Sequence, residues 1–218
     1  GTAYGNEISF TTLIPPIGTV IDYDGNVYDT VQIGTQVWMK QNLKTTHYKN
    51  GASINYPGTN NTAWQNNTSG AYAWYNNDSV TYKNTYGALY NWYAVNTGNL
   101  CPTGWHAPSK DEWTTLTTYL GGENIAGVKL KEAGFSHWIT PNYGTTGATN
   151  ETGFTALPGG KRNNNIYDII GYYGCFWSSS VWGSMNNANY LVMNNSNDLA
   201  VILLSEKIAG LSVRCLKD

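Results

Sequence analysis

Three histidines, three cysteines and two short acidic runs are the side chains of this 218-residue sequence best equipped for chemistry. His47, His106 and His137 include no pair at the three- or four-residue spacing that brings two imidazoles to one metal ion. His106 follows Gly104-Trp105 and precedes Ala107-Pro108 at the start of a predicted helix, where packing or a backbone hydrogen bond accounts for it. A nucleophilic cysteine needs a base and an electropositive setting, and the residues around Cys101, Cys175 and Cys215 supply neither. Three cysteines fit one disulfide plus one thiol, and their number leaves the compartment open. Asp111 and Glu112 are adjacent on a helix and so point to different sides. Asp22 and Asp24 in Asp22-Tyr23-Asp24-Gly25-Asn26 suggest a calcium loop, but the distal glutamate is missing and a tight turn is predicted instead. Phosphate-loop and nucleophile-elbow patterns are absent. The chain therefore reads as non-catalytic, with no metal ligand set assigned.

The elements that would carry these residues are short. Val20–Tyr23 and Val27–Ile33 around Asp24-Gly25-Asn26 predict a hairpin, because Asp-Gly and Gly-Asn supply positive-φ positions. A second hairpin turns at Gly34-Thr35 and returns through Gln36–Met39. Residues 50–85 are dense in Asn, Thr, Tyr and Gly and predict a long surface excursion pinned by Trp64, Tyr72, Trp74 and Tyr75. Leu89, Trp92 and Tyr93 then fall at helical spacing. The clearest signal is a helix over Pro108–Leu120: Ser109 and Glu112 form a capping box, Trp113, Leu116 and Leu120 line one face, and Gly121-Gly122 stop it. Four strands are predicted at 175–180, 188–193, 199–204 and 211–215. Two helices, a mainly antiparallel twisted sheet and long irregular loops make the expected class α+β.

Charged residues are only 12% of the chain, about half the usual share, so Asn, Thr, Ser and Gly must supply the polar surface. A net charge of −2 without a basic cluster excludes a nucleic-acid partner, and no apolar run approaches a membrane span. Aromatic residues at 14% supply the apolar area that disordered chains lack. Residues 1–16 read apart from the rest: Tyr4, Ile8 and Phe10 keep strand spacing before Pro15-Pro16. They resemble the closing strand of a fibronectin type III-like domain plus linker, which puts the main domain at 17–218 and makes the chain an excerpt of a longer one.

Six blocks in order, Thr30–Gly51, Tyr86–Val95, Cys101–Trp113, Gly153–Arg162, Phe176–Ser180 and Ser212–Asp218, resemble the Fibrobacter succinogenes major paralogous domain family. The resemblance implies secreted or cell-surface domains of Bacteroidetes and Fibrobacteres with a C-type lectin-like fold, shared with formylglycine-generating enzymes. It implies a disulfide between Cys101, entering the capped helix, and Cys215, in the last strand, with Cys175 left over. The paired redox cysteines of formylglycine-generating enzymes have no counterpart here. Nor do the Glu-Pro-Asn or Gln-Pro-Asp loops of calcium-dependent lectins. No cofactor is expected, and a structural calcium ion stays open.

What remains is surface recognition. Trp182, Asn186, Asn187, Asn189, Tyr190, Asn194, Asn195 and Asn197 lie outside the family blocks and combine rigid ring area with adaptable hydrogen bonding, as binding surfaces do. The same asparagines also suit plain turns. The expected partner is an extracellular protein or glycan. Two alternatives stand beside this: a structural adhesin or surface-assembly module without a ligand, and a variable ligand-binding protein of a diversity-generating retroelement, whose variable region the Asn-rich segment from Tyr172 to Ala209 resembles. Trp38, Trp92, Trp105, Trp113 and Trp177 fall inside the blocks and are expected to hold the fold.

Overall fold

A computed structural model describes residues 18–140, 147–183 and 186–218, so the fibronectin-like reading of residues 1–16 lies outside the described residues. The chain opens as an antiparallel meander of β1 (Thr19–Ile21), β2 (Val27–Ile33) and β3 (Gln36–Met39). Ile21 faces Val27 and Ile33 faces Gln36, so both predicted turns are where the positive-φ residues put them. Gly34 has φ +60, and the ring of Tyr119 lies 3.0 Å from the point where a Cβ would stand.

The excursion that follows is better ordered than its composition suggests. It contains α1 (Asn61–Gln65), β4 (Tyr72–Ala73), a 3-10 turn at Tyr75–Asn77 and α2 (Ser79–Tyr86). Asn60 caps the first helix and Asp78 the second, each side chain accepting from amides of the opening turn. Trp64, Tyr72, Trp74 and Tyr75 are all buried, as their anchoring role requires. Trp64 is the floor for the Arg162 guanidinium, 4.2 Å above its ring.

The helical spacing at Leu89, Trp92 and Tyr93 is corrected. Leu89 belongs to strand β5 (Leu89–Tyr90), and α3 (Trp92–Asn96) begins only after Asn91, whose Oδ1 accepts from Ala94 N and Ala71 N. Strand β6 (Trp105–His106) leads into α4 (Lys110–Tyr119). Its capping box is formed as predicted: Ser109 Oγ accepts from Glu112 N at 3.2 Å and Ser109 N donates to Glu112 Oε2 at 2.7 Å.

A further helix, α5 (Glu123–Leu130), has no sequence signal because Gly127 sits inside it. The glycine is required by close approach, since a Cβ there would stand 2.3 Å from Leu199 O and 2.6 Å from Asp198 O. The described residues thus hold five α-helices, not the two expected.

The last third comprises β7 (Lys161–Asn163), β8 (Ile166–Asp168), β9 (Tyr173–Val181), β10 (Asn187–Asn194), β11 (Val201–Glu206) and β12 (Leu216–Lys217). Strands order as β1-β2-β3-β12-β6 in one sheet and β11-β10-β9 in another, with β4-β5 and β7-β8 as separate pairs. Every pairing between named strands is antiparallel, which makes the class α+β.

The strand expected at 211–215 is not a ladder. Leu211 bonds with Tyr90, Ser212 with Cys175 and Trp177, Val213 O accepts from Leu43 N, and Cys215 O accepts from Met39 N. Its backbone is satisfied by neighbours from several elements in turn, so no continuous pairing develops.

Two cores meet across β9. Phe176, Leu191 and Met193 join Trp38, Trp113 and Phe154 in one, while Cys175, Trp177 and Val192 join Tyr90, Trp92, Cys101 and Cys215 in the other. Trp38 stacks on Trp113 at 4.6 Å with Phe154 edge-on to both. Each such side chain contributes ~2–3 kcal/mol by burial. The five block tryptophans expected to hold the fold are all buried. Among the described residues no helix is long and apolar enough to cross a membrane.

Candidate functional site

The titratable side chains occur as separate structural contacts. His47 pairs with Asp24, which also accepts from Thr46 N and from the hydroxyls of Thr45 and Thr46. Asp22 accepts from Asn26 N, Asn26 Nδ2 and Tyr28 Oη. Asp22 thus closes the predicted turn, and Asp24 ties it to the Thr45–His47 segment. His137 pairs with Glu132. Among the described residues, no group of three or more His, Cys, Asp or Glu side chains is placed to hold a metal ion.

His106 bridges two carboxylates, Nδ1 to Asp218 at 2.6 Å and Nε2 to Glu112 at 2.9 Å. Partial burial disfavours the charged ring, but the hydrogen bonds and charges of Asp218 and Glu112 outweigh it and raise the His106 pKa. A raised histidine stabilises the fold fully below the unfolded value, roughly 6.5, and loses that contribution as pH rises through the folded value. Asp218→Asn is therefore expected to lower the His106 pKa in an NMR titration and to shrink the fall in melting temperature above neutral pH. An unchanged titration would dismiss the bridge.

Cys101 and Cys215 form the disulfide, with Cα atoms 6.0 Å apart. Cys175 is the free cysteine, 2% exposed, its thiol pushed up to about 12, first of all by burial. It is protonated and inaccessible at neutral pH, which does not suit a nucleophile.

The candidate recognition residues divide between the two ends of β10. At one end, Trp182 is 55% exposed with Lys110 Nζ 5.7 Å from its ring, and Asn186 and Asn187 lie beside it across the β9–β10 turn. At the other, roughly 23 Å away at strand rise, Asn194, Asn195 and Asn197 build the β10–β11 turn. There Asn194 Oδ1 accepts from Ser196 N, Asn197 Oδ1 from Leu199 N, and Asn195 Nδ2 donates to Ile139 O. The backbone carbonyls of Asn194 and Asn197 accept from Lys131 Nζ at 3.0 and 2.7 Å. Burial lowers the Lys131 pKa, and these carbonyls satisfy the ammonium. The second group is occupied with turn geometry.

Two central residues change role as well. Asn189 is 4% exposed and donates to Ser180 O, so it cannot meet a partner. Tyr190 is half-buried edge-on to Trp177, its hydroxyl pushed up to about 12 by burial.

In their place the sheet exposes side chains absent from the expected set. Val181, Leu203 and Leu204 are exposed together with Trp182, and β11 is an edge strand whose Leu203 faces Tyr190 and Leu204 faces Asn189. Val181 lies opposite Ala188. Beside Asn186 a cleft of about 260 Å³ is lined by Tyr93, Asn186, Glu206, Lys207 and Ile208. Sequence reasoning does not bring Tyr93 and Glu206 together, because α3 and the end of β11 meet only through folding, where Trp92 N donates to Lys207 O at 2.9 Å.

No curated protein and no solved structure matches the chain. The Fibrobacter succinogenes major domain, however, matches residues 31–217. That span takes in the second hairpin, the capped helix, both half-cystines and the whole three-stranded sheet. On that coverage the chain belongs to the Fibrobacter succinogenes major domain family.

Proposed function

We propose that this chain is a non-catalytic, exported recognition module of C-type lectin-like fold that holds an extracellular protein or glycan on the open end of its β9–β10–β11 sheet. One observation carries the reading: Val181, Trp182, Leu203 and Leu204, all large, apolar and exposed, belong to one three-stranded sheet whose inner residues are packed on both faces. Leu203 shares the face of Tyr190 and Leu204 that of Asn189, so the exposed apolar side chains flank this end of the sheet on both faces, with Asn186, Asn187 and Glu206 as polar neighbours. Trp182 is the anchor, as a large ring with little rotamer entropy to lose.

Two features support the fold and the location. The disulfide joins the segment entering α4 to the segment entering β12, as the C-type lectin-like reading expects. Persisting disulfides of this kind belong to oxidising compartments. The catalytic alternative lacks support from the titratable groups, which are spent on turns, caps and local pairs.

A glycan array probed with wild-type protein and with Trp182→Ala and Leu204→Ser tests the reading. Wild type is expected to bind, and each substitution to weaken binding by about tenfold, the effect of losing one buried anchor. A domain whose surface only packs against neighbouring domains would show no binding to lose, on the array or to extracellular protein partners.

A further inference from the structure

From the cleft beside the β9–β10 turn we infer a subsite for a single neutral pyranose ring, formed by Tyr93, Asn186, Glu206, Lys207 and Ile208. This rests on the recognition reading and names the ligand class for one part of that surface. The cleft holds about 260 Å³, below the roughly 300–1,000 Å³ of sites that enclose drug-sized molecules, so it suits one small unit.

Its polar groups converge without being used. Among the described residues, the Tyr93 hydroxyl, the Asn186 side-chain amide and the Glu206 carboxylate make no hydrogen bond or ion pair with the protein. Lys207 Nζ is drawn onto the Trp92 ring, 4.7 Å from its centroid, and forms no ion pair with Glu206.

The charges decide the ligand. A cation would meet Lys207 at the same lip, and an anion would meet Glu206. A neutral polyol suffers neither repulsion. Its vicinal hydroxyls can donate to the two carboxylate oxygens of Glu206, its acceptors can take the Asn186 amide, and its C–H face can lie on Tyr93 and Ile208. A zwitterionic amino acid is the competing ligand, but it would need the Lys207 charge that the Trp92 ring already attracts.

Saturation-transfer NMR tests this with the methyl β-pyranosides of glucose, galactose, mannose and N-acetylglucosamine, and with glycine and alanine as zwitterion probes. At least one pyranoside is expected to receive saturation and to bind with a millimolar dissociation constant. Glu206→Gln and Tyr93→Ala should each weaken it about tenfold, and Ile125→Ser, exposed on α5 beside Asp198 and Leu199 at the other end of the sheet, should leave it unchanged. Glu206 is exposed, so its amide variant keeps the fold, and matching melting curves confirm that. Absence of transfer from every pyranoside overturns the subsite. So does transfer indifferent to both variants, or binding by glycine and alanine alone. If the array signal still depends on Trp182 while no pyranoside binds here, the recognition face stands and the subsite falls.

Discussion

Arg214→Ala is expected to remove the folded state at 37 °C, the largest effect of any single substitution outside the disulfide. The guanidinium is fully buried and has no carboxylate partner among the described residues; burial pushes its pKa down to about 9, so it is still charged at neutral pH. It donates to Asn42 Oδ1 at 3.1 and 2.7 Å, to Met39 O at 3.1 Å, to Phe154 O at 2.6 Å and to Thr155 O at 3.4 Å. The Phe154 ring lies 4.4 Å from its central carbon. Alanine would take this donor from four acceptors, three of them buried at ~1–3 kcal/mol each, and leave a cavity between the meander and the Phe154–Phe176 core besides. The sum approaches the ~5–15 kcal/mol that holds a domain together. Arg214→Lys keeps the charge but offers three donors from one atom, so an intermediate loss is expected. Soluble yield and thermal melts followed by circular dichroism measure both variants. A melting temperature for Arg214→Ala within a few degrees of wild type would show that the buried cation does not organise these loops.

Opening the Cys101–Cys215 bridge is expected to cost ~4–5 kcal/mol, because the bonded residues are 114 positions apart and their link restricts the unfolded chain strongly. At ~2–4 °C per kcal/mol for a chain of this size, the melting temperature should fall ~10–20 °C under reductant or in the Cys101→Ala/Cys215→Ala double variant. Cys175 is the internal control. Intact mass after alkylation in denaturant should show one modified thiol without reductant and three with it. Three modified thiols without reductant, or a melting shift under ~3 °C, would refute the bridge or its weight.

Local signals were read well from sequence because their physics is local. The Ser109–Glu112 capping box and the Asp24-Gly25-Asn26 turn need only residues three or four apart. The strands β9 and β10 followed from their runs of apolar and aromatic residues. Helix α5 escaped because the reason for Gly127 is the backbone at Asp198 and Leu199, some seventy residues on. At Leu89–Tyr90, buried apolar residues fit a strand as well as a helix, and only pairing with β4 decides.

The candidate site was legible by half, for a similar reason. Composition marks an asparagine-rich segment but not which end of β10 each residue occupies, and burial of Asn189 depends on its bond to Ser180 O. Tyr93 and Glu206 belong to one cleft only through the contact between α3 and β11.

The hairpin of β9 and β10 is gripped at its root and loose at its end. Phe176 and Trp177 are wholly buried on opposite faces, and truncating either should cost several kcal/mol, whereas Val181, Trp182 and Asn186 stand in solvent, where replacements typically change stability by under ~0.5 kcal/mol. Substitutions at the hairpin end are therefore largely uncoupled from those that unfold the domain. On the recognition reading proposed above, a lineage could rewrite that end many times on one scaffold, with selection acting on the partner and hardly at all on the fold.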